Sequence, residues 1–340
     1  MDLTLKVMRS RRLLLCVFML VSMIGLIACE HAVESPTTDK PELNIGRLIC
    51  GGHLPLAIVE KHYQSEIQTF HLHAVQNHDW NDVVSDMRSG ELAGTFILSP
   101  LAIKLIHDGF PGRIVMAADR NGNGFVLSKS FQSIEALNQK QVLIAVPHIY
   151  SQHNVLLHLI LKQHGIDPGN VKVLGMPPRD MINSMRNGEI DGFVVGEPEA
   201  YKAVSQDVGW LAGISPGIWK NHMDHVLLVT NTFIEEHPDQ LQELINQLVR
   251  GSKYIEAHPH EAALMGEDYT GSSAAVFEQV LTDPPDWISF NDYQVRLKDL
   301  EMMVGHMVEM GLLTSVPDDL DTAYTDMRFV RKTLSMAEVQ

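Results

Sequence analysis

The chain has 340 residues, 20% charged and 45% hydrophobic, a mixture that excludes a long disordered polymer. At roughly 100 to 200 residues per domain, the length fits two compact units. The net charge of −16, with no cluster of Lys and Arg beyond the N-terminus, excludes a nucleic-acid partner, because affinity for phosphate comes from clustered cations that release counterions.

Lys6, Arg9, Arg11 and Arg12 precede sixteen uncharged residues, Leu13 to Ala28, too short a run to span a bilayer with ease and typical of an export signal. The run closes on Leu26, Ile27, Ala28 and Cys29, which resembles the bacterial lipobox. Residues 1–28 are therefore expected to be a cleaved lipoprotein signal peptide, with Cys29 lipidated as the first mature residue. Several acyl chains on one residue give stable attachment without spanning. Function is then expected on the periplasmic side of a bacterial membrane. Residues 29–42, rich in Ser, Thr and Pro, read as a flexible tether. Cys50 is the remaining thiol and, ending an apolar run, reads as a small buried hydrophobe.

Beyond the tether, apolar runs without alternation predict strands over 43–50, 69–75, 94–98, 113–117 and 125–127, with helices over 56–62 and 80–88 between them. A second set follows: strand 142–146, helix 152–164, strand 171–174, helix 179–187 and strand 192–195. A strand over 225–230 leads into a mostly helical remainder, with long helices over 239–257 and 291–310. The order predicts an α/β fold of two lobes, each a mixed sheet flanked by helices, with a ligand cleft between them. Lobe 1 takes 43–138, lobe 2 takes 139–224, and 225–340 returns to lobe 1, with crossovers near 128–140 and 225–230. Ligands of such folds sit at carboxyl ends of strands and amino ends of helices.

Several constellations are weaker than they look. Gly213, Ser215 and Gly217 match the G-x-S-x-G elbow, but Pro216 lacks the N–H that its oxyanion hole needs. Asp119 to Gly124 copies half of a calcium loop, yet Ser130 stands where a bidentate Glu is required, so a turn is expected. The 17 histidines include His71 with His73, and His148, His153, His158 and His164, but none has metal-site spacing and no metal is expected. No nucleophile or paired-acid motif supports an enzyme.

Two segments differ. Pro147 to Asn154 joins a buried strand to a helix whose first turn carries His153, a place for an anion. Val195, Gly196, Glu197 and Pro198 end a strand and open a helix, and Gly196 lets a ligand approach the backbone.

At these residues the sequence resembles the periplasmic solute-binding components of ABC importers for nitrate, nitrite and bicarbonate, within a group that also binds sulfonates, taurine and thiamine precursors. The resemblance lies in Gly165-Ile166-Asp167-Pro168, Met176-Pro177-Pro178, Gly188 to Pro198, and Trp219-Lys220-Asn221-His222, with weaker support from Gly52 to Leu56, Ile97 to Pro100 and Leu320 to Asp326. It implies a two-lobed type II periplasmic binding protein fold and no chemistry. It also implies capture of a small oxyanion or related polar metabolite, of nitrate, nitrite or bicarbonate type or a sulfonate, for a membrane permease and its ATPase. A ligand sensor signalling to a regulator, or a metal-binding solute receptor, are the alternatives. Carried over string by string, the ligand contacts are Trp80, Asn123, His153, Gly196 and Lys220, supported by Gln152 and Glu197. No cofactor is implied, except calcium if the ligand is bicarbonate. A monomer is expected. Asn123 stands where nitrate binders carry Gln, Asn154 where the family has Asp, and Met223 where it has Pro.

Overall fold

Branched aliphatic residues on successive positions, as in Val142–Val146, leave no polar side for water, so such strands must be covered on both faces. The computed structural model, which describes residues 40–337, shows how. The chain from Pro41 onward forms one unit. Its strands are β1 (Glu42–Arg47), β2 (His71–Gln76), β3 (Gly94–Leu98), β4 (Gly112–Ala117), β5 (Arg120–Asn121), β6 (Asn123–Ser128), β7 (Val142–Val146), β8 (Val171–Gly175), β9 (Gly192–Gly196), β10 (Gly209–Ile214), β11 (His225–Thr230) and β12 (Ile288–Ser289).

Ten of them form two five-stranded mixed sheets, ordered β2-β1-β3-β11-β4 and β10-β6-β9-β7-β8, and β5 pairs antiparallel with β12 in a two-stranded sheet. In the first sheet β1 runs parallel to β2 and β3, while β11 is antiparallel to β3 and β4. In the second, β7 is parallel to β8 and β9, and β6 is antiparallel to β9 and β10. Sequence reading grouped the segment 125–127 with the first set of strands. Its hydrogen bonds are to β9 and β10, so the chain crosses over between β4 and β6. Strand β10 was not foreseen, because Gly209 to Ile214 is short and glycine-interrupted. The segment 225–230, expected as a strand-like crossover returning to the first lobe, is strand β11, lying between β3 and β4 in the first sheet.

Each sheet has apolar clusters on two sides. One side of the first sheet packs Leu241, Leu244, Ile245 and Leu248 of the helix Pro238–Ala257, and another packs Leu101, Met303 and Val304. Leu156 and Ile160 cover one side of the second sheet and Met181 and Met185 the other. At roughly 1.5–3 kcal/mol per fully buried large side chain, these layers supply the main stabilisation. The helix expected over 56–62 is Leu54–Ile58 continued by a π-helical turn, Val59–Tyr63. The helix expected over 291–310 begins only at Leu297 and ends at Glu309.

The residues before that helix have another partner. Arg120, fully buried, lies in the crossover between the sheets. Its guanidinium donates to the carbonyls of Asn221 (3.0 Å) and Gln294 (2.6 Å) and pairs with Asp292 (3.0 Å) and Asp299 (2.9 Å). The two crossovers also pair with each other: Arg120 bridges Met223, the Asn121 N–H donates to the His222 carbonyl (3.1 Å), and the Asp224 N–H donates to the Asp119 carbonyl (3.3 Å). The linkage between the sheets is thus a two-stranded ribbon pinned by one arginine. No helix among the described residues is long and apolar enough to cross a membrane. The signal segment 1–28 and Cys29 lie outside the described residues.

Candidate functional site

Parallel strands direct their carboxyl ends, and the amino ends of the following helices, to one edge of each sheet. The two edges meet at a cavity of about 300 Å³. From the first sheet come Cys50, just past β1, and Trp80, the first residue of the helix Trp80–Ser89, which Asp79 caps by accepting the N–H groups of Asn81 (2.8 Å) and Asp82 (3.0 Å). From the second come His153, in the first turn of the helix Gln152–Gln163, and Gly196, the last residue of β9. His225 enters from the start of β11. The walls touch where the Gly51 N–H donates to the Glu197 carbonyl (3.0 Å), and again where the Arg179 guanidinium donates to His78 Nδ1 (3.2 Å). A Cβ on Gly51 would lie 2.3 Å from that oxygen, so only glycine admits this approach.

His225 has the most elaborate setting. Its backbone N–H and its Nδ1 both reach Asp119 Oδ1, at 2.9 and 3.1 Å, and Nδ1 lies 3.3 Å from Asp224 Oδ2. Burial alone would lower its pKa, but the charges of Asp224, Cys50 and Asp119 and the hydrogen bond to Asp119 raise it well above the usual value. His225 is therefore an imidazolium, its Nδ1–H spent on carboxylate and its Nε2 3.6 Å from Cys50 Sγ. The Trp80 ring lies nearly parallel to it at 5.9 Å. That distance suits a cation over an indole face.

The acids around His225 do not all carry charge. Burial pushes the Asp224 carboxyl up to about 7, and Asp119 adds to this. Asn123 spends its Nδ2 on the Asn121 carbonyl (2.6 Å) and His222 Nε2 (3.1 Å), leaving Oδ1 without a donor, and Asp224 Oδ1 is also without one. Asn123 acts the other way and holds the Asp224 value down. Burial likewise pushes Glu197 up to about 8; its Oε2 accepts the Tyr201 N–H (2.9 Å). Below these values the Asp224 and Glu197 carboxyls are neutral, and Glu199, which also lines the cavity, is paired with Lys202 (3.1 Å), so the pocket repels anions less than its acids imply.

His153 is 2% exposed, and burial first, then the charges of His225 and His222, keeps its pKa well below the usual value. Gln152 Nε2 donates to its Nδ1 (3.2 Å), so the one ring proton sits on Nε2, which has no partner. A Cβ on Gly196 would stand 3.6 Å from both His153 Nε2 and Cys50 Sγ. The bare glycine leaves that space open to a guest.

Of the residues named from sequence, Trp80, His153, Gly196 and Glu197 line this cavity, and Gln152 stands behind His153. Asn123 does not line it; it is fully buried at the start of β6, paired with Gly196. Lys220 is not brought in either. It is exposed, and with Trp219, His222, Arg296 and Lys298 it lines a separate cavity of about 270 Å³. The crossover turns the chain between Lys220 and His225, so the later residue faces the cleft. Sequence reasoning missed His225, Asp119 and Asp224, and took half-buried Cys50 for a core residue. The available signal was an ionisable pair, Asp224 and His225, opening an otherwise aliphatic strand.

Among the described residues two clusters have the donors for a metal, Cys50 with His53 and His225, and Asp119 with Asp224 and His225, the donor atoms of each lying within 4.8 Å of one another. His53 Nδ1, however, accepts the Leu48 N–H (3.0 Å), which places its proton on Nε2 and takes both nitrogens away from an ion.

Comparison with known proteins agrees with the fold. Over 258 residues the chain is 27% identical to the nitrate import ATP-binding protein NrtC of Synechocystis sp., a match that covers 69% of this chain but only 38% of that protein. The crystal structure of the periplasmic nitrate-binding protein NrtA from Synechocystis superposes with a TM-score of 0.82 at 16% identity, covering 89% of this chain and 90% of the other. A zinc-bound ligand-binding component of an ABC-type import system from Staphylococcus aureus superposes with a TM-score of 0.78 at 19% identity, covering 86% and 99%. The architecture is thus the two-lobed periplasmic binding protein fold. The sequence model of the NMT1-like family matches residues 37–266, more than half of the chain, and the protein belongs to that family.

Proposed function

We propose that the protein is the extracytoplasmic solute-binding component of an ABC importer, and that its cavity takes a small oxyanion of nitrate, bicarbonate or sulfonate class. The observation that carries this is a buried, unpartnered His153 Nε2–H aimed at the open space over Gly196, with the imidazolium of His225 beside Cys50 on the same cavity. Donors that are already desolvated and fixed bind an anion without reorganising, and Coulomb attraction strengthens as water leaves. His225 supplies the charge, His153 a directed donor, Trp80 a flat wall, and Gly196 the room. No bond is made or broken in the solute. Arg179 and Lys202 line the cavity as further cations.

Two of the proteins named above, NrtC and NrtA, are named for nitrate import and nitrate binding, which supports an anionic guest and permease and ATPase partners. A membrane anchor on Cys29 would hold the domain beside that permease. A metal-binding receptor is the second reading, because the Cys50 and His225 donors are 3.6 Å apart, a separation that two ligands of one tetrahedral ion can have. The occupied nitrogens of His53 leave it two ligands short of four, and the anion reading is preferred.

Isothermal titration of the full chain with nitrate, nitrite, bicarbonate, taurine and an alkanesulfonate, beside zinc as the rival, tests this. Saturable heat with one of the anions is expected. Heat with zinc alone, or with none of the panel, rejects it.

A further inference from the structure

We propose that Cys50 is an oxidisable thiol built into the cavity, one that reacts with a small hydroperoxide to form a sulfenic acid standing where the solute would bind. The blocking half rests on the solute-binding reading; the reactivity of the thiol does not.

Three observations carry the proposal. Cys50 is half-buried and lines the cavity, so a small molecule that enters reaches its sulfur. Its Sγ is 3.6 Å from His225 Nε2, whose other nitrogen is held at 3.1 Å by Asp119, the nucleophile, base and orienting acid arrangement of activated thiols. A Cβ on Gly52 would fall 2.3 Å from Asp119 Oδ2 and 2.5 Å from His225 Nδ1, so this pair is seated on bare backbone and the ring has one orientation. Third, the unpartnered His153 Nε2–H points at the same space over Gly196 that Cys50 borders, and offers a hydrogen bond to an oxygen placed there.

The step balances within these groups. Sulfur, its proton given over to His225 Nε2 at 3.6 Å, attacks the terminal oxygen of R–O–OH. The S–O bond forms as the O–O bond breaks, sulfur loses two electrons, and the peroxide is reduced. The departing alkoxide takes the proton from His225 Nε2, so a thiol and a hydroperoxide become a sulfenic acid and an alcohol. Accessible cysteines beside a cationic imidazole are those that oxidise selectively. The new oxygen projects into the open volume above Gly196. None of this is turnover: the sulfenic acid persists until a thiol reduces it.

The test treats the full-length protein with hydrogen peroxide and dimedone and maps the label to Cys16, Cys29 or Cys50 by mass spectrometry. Folded protein is expected to label Cys50 faster than guanidinium-unfolded protein, and His225→Gln to slow the folded rate by about a hundredfold. Equal or slower labelling in the folded state overturns the proposal without any variant. A panel anion that gives heat should also slow labelling, and oxidised protein should lose that heat. If fast labelling persists while no anion protects, the thiol proposal stands and the solute reading fails.

Discussion

The two walls of the cavity offer a solute different chemistry. The wall from the first sheet is charged and coupled: Cys50, Trp80 and His225, with Asp119 and Asp224 behind them. Around Gly196 the wall from the second sheet is neutral, with a glycine, an uncharged imidazole and a carboxyl held protonated to about pH 8 by burial, while its charged side chains, Arg179, Glu199 and Lys202, line the cavity from the helices Pro178–Arg186 and Glu199–Ser205. The first wall supplies the coupled imidazolium and the second the room and a directed donor, so a guest interacts fully only when both are present. Preference for a closed form of the protein follows from that division.

The comparison breaks first where the walls are joined. Replacing Arg120 with Met leaves Asp292 and Asp299 without their buried partner, and should cost about 3–5 kcal/mol in a chemical denaturation curve. If stability is unchanged, the ribbon is not pinned as described. On the charged wall, His225→Gln removes the imidazolium, and affinity measured by titration should fall by on the order of ten- to a hundredfold, the value of a hydrogen bond to a charged group. On the neutral wall, His153→Leu removes one donor and should cost about 1 kcal/mol, roughly fivefold in affinity.

Acidity sharpens the contrast further. Glu197 and Asp224 have folded pKa values raised to about 8 and about 7, so the native state holds protons that the unfolded chain has released. Their contribution to stability is therefore best at low pH and is lost as pH rises from the unfolded values to the folded ones. The melting temperature of Glu197→Gln, relative to the unaltered protein, should climb between pH 4.5 and 8. A flat difference contradicts the protonated carboxyl. Anion affinity should weaken over the same upper range, as both acids ionise. The smallest effect is expected at Lys220→Ala, which should leave titrated affinity within about twofold, the scatter of surface substitutions.

The two-sheet architecture was legible because unbroken aliphatic strands alternating with amphipathic helices have few ways to be covered. Residues at strand ends were legible for the same reason: Pro147 to His153 and Val195 to Glu197 follow buried strands directly, and topology sends both to one edge. What escaped is set by the crossovers. Whether β6 joined one sheet or the other depended on pairing across more than sixty residues, as with Asn123 and Gly196. Which basic residue faced the cleft turned on the four residues of ribbon between Lys220 and His225, with Asn221 at a φ of 62° reversing the chain. String matching placed the cation at the lysine; packing of Asp119 against Gly52 placed it at the histidine.

A crystal structure of the full chain soaked with the panel anion that gives the largest heat tests the central claim most directly. The expected result is the anion over Gly196, within hydrogen-bond distance of His153 Nε2 and on the His225 side of the cavity. An anion held instead at Lys220 and Arg296, or a metal ion bonded to Cys50 Sγ and His225 Nε2, would contradict it.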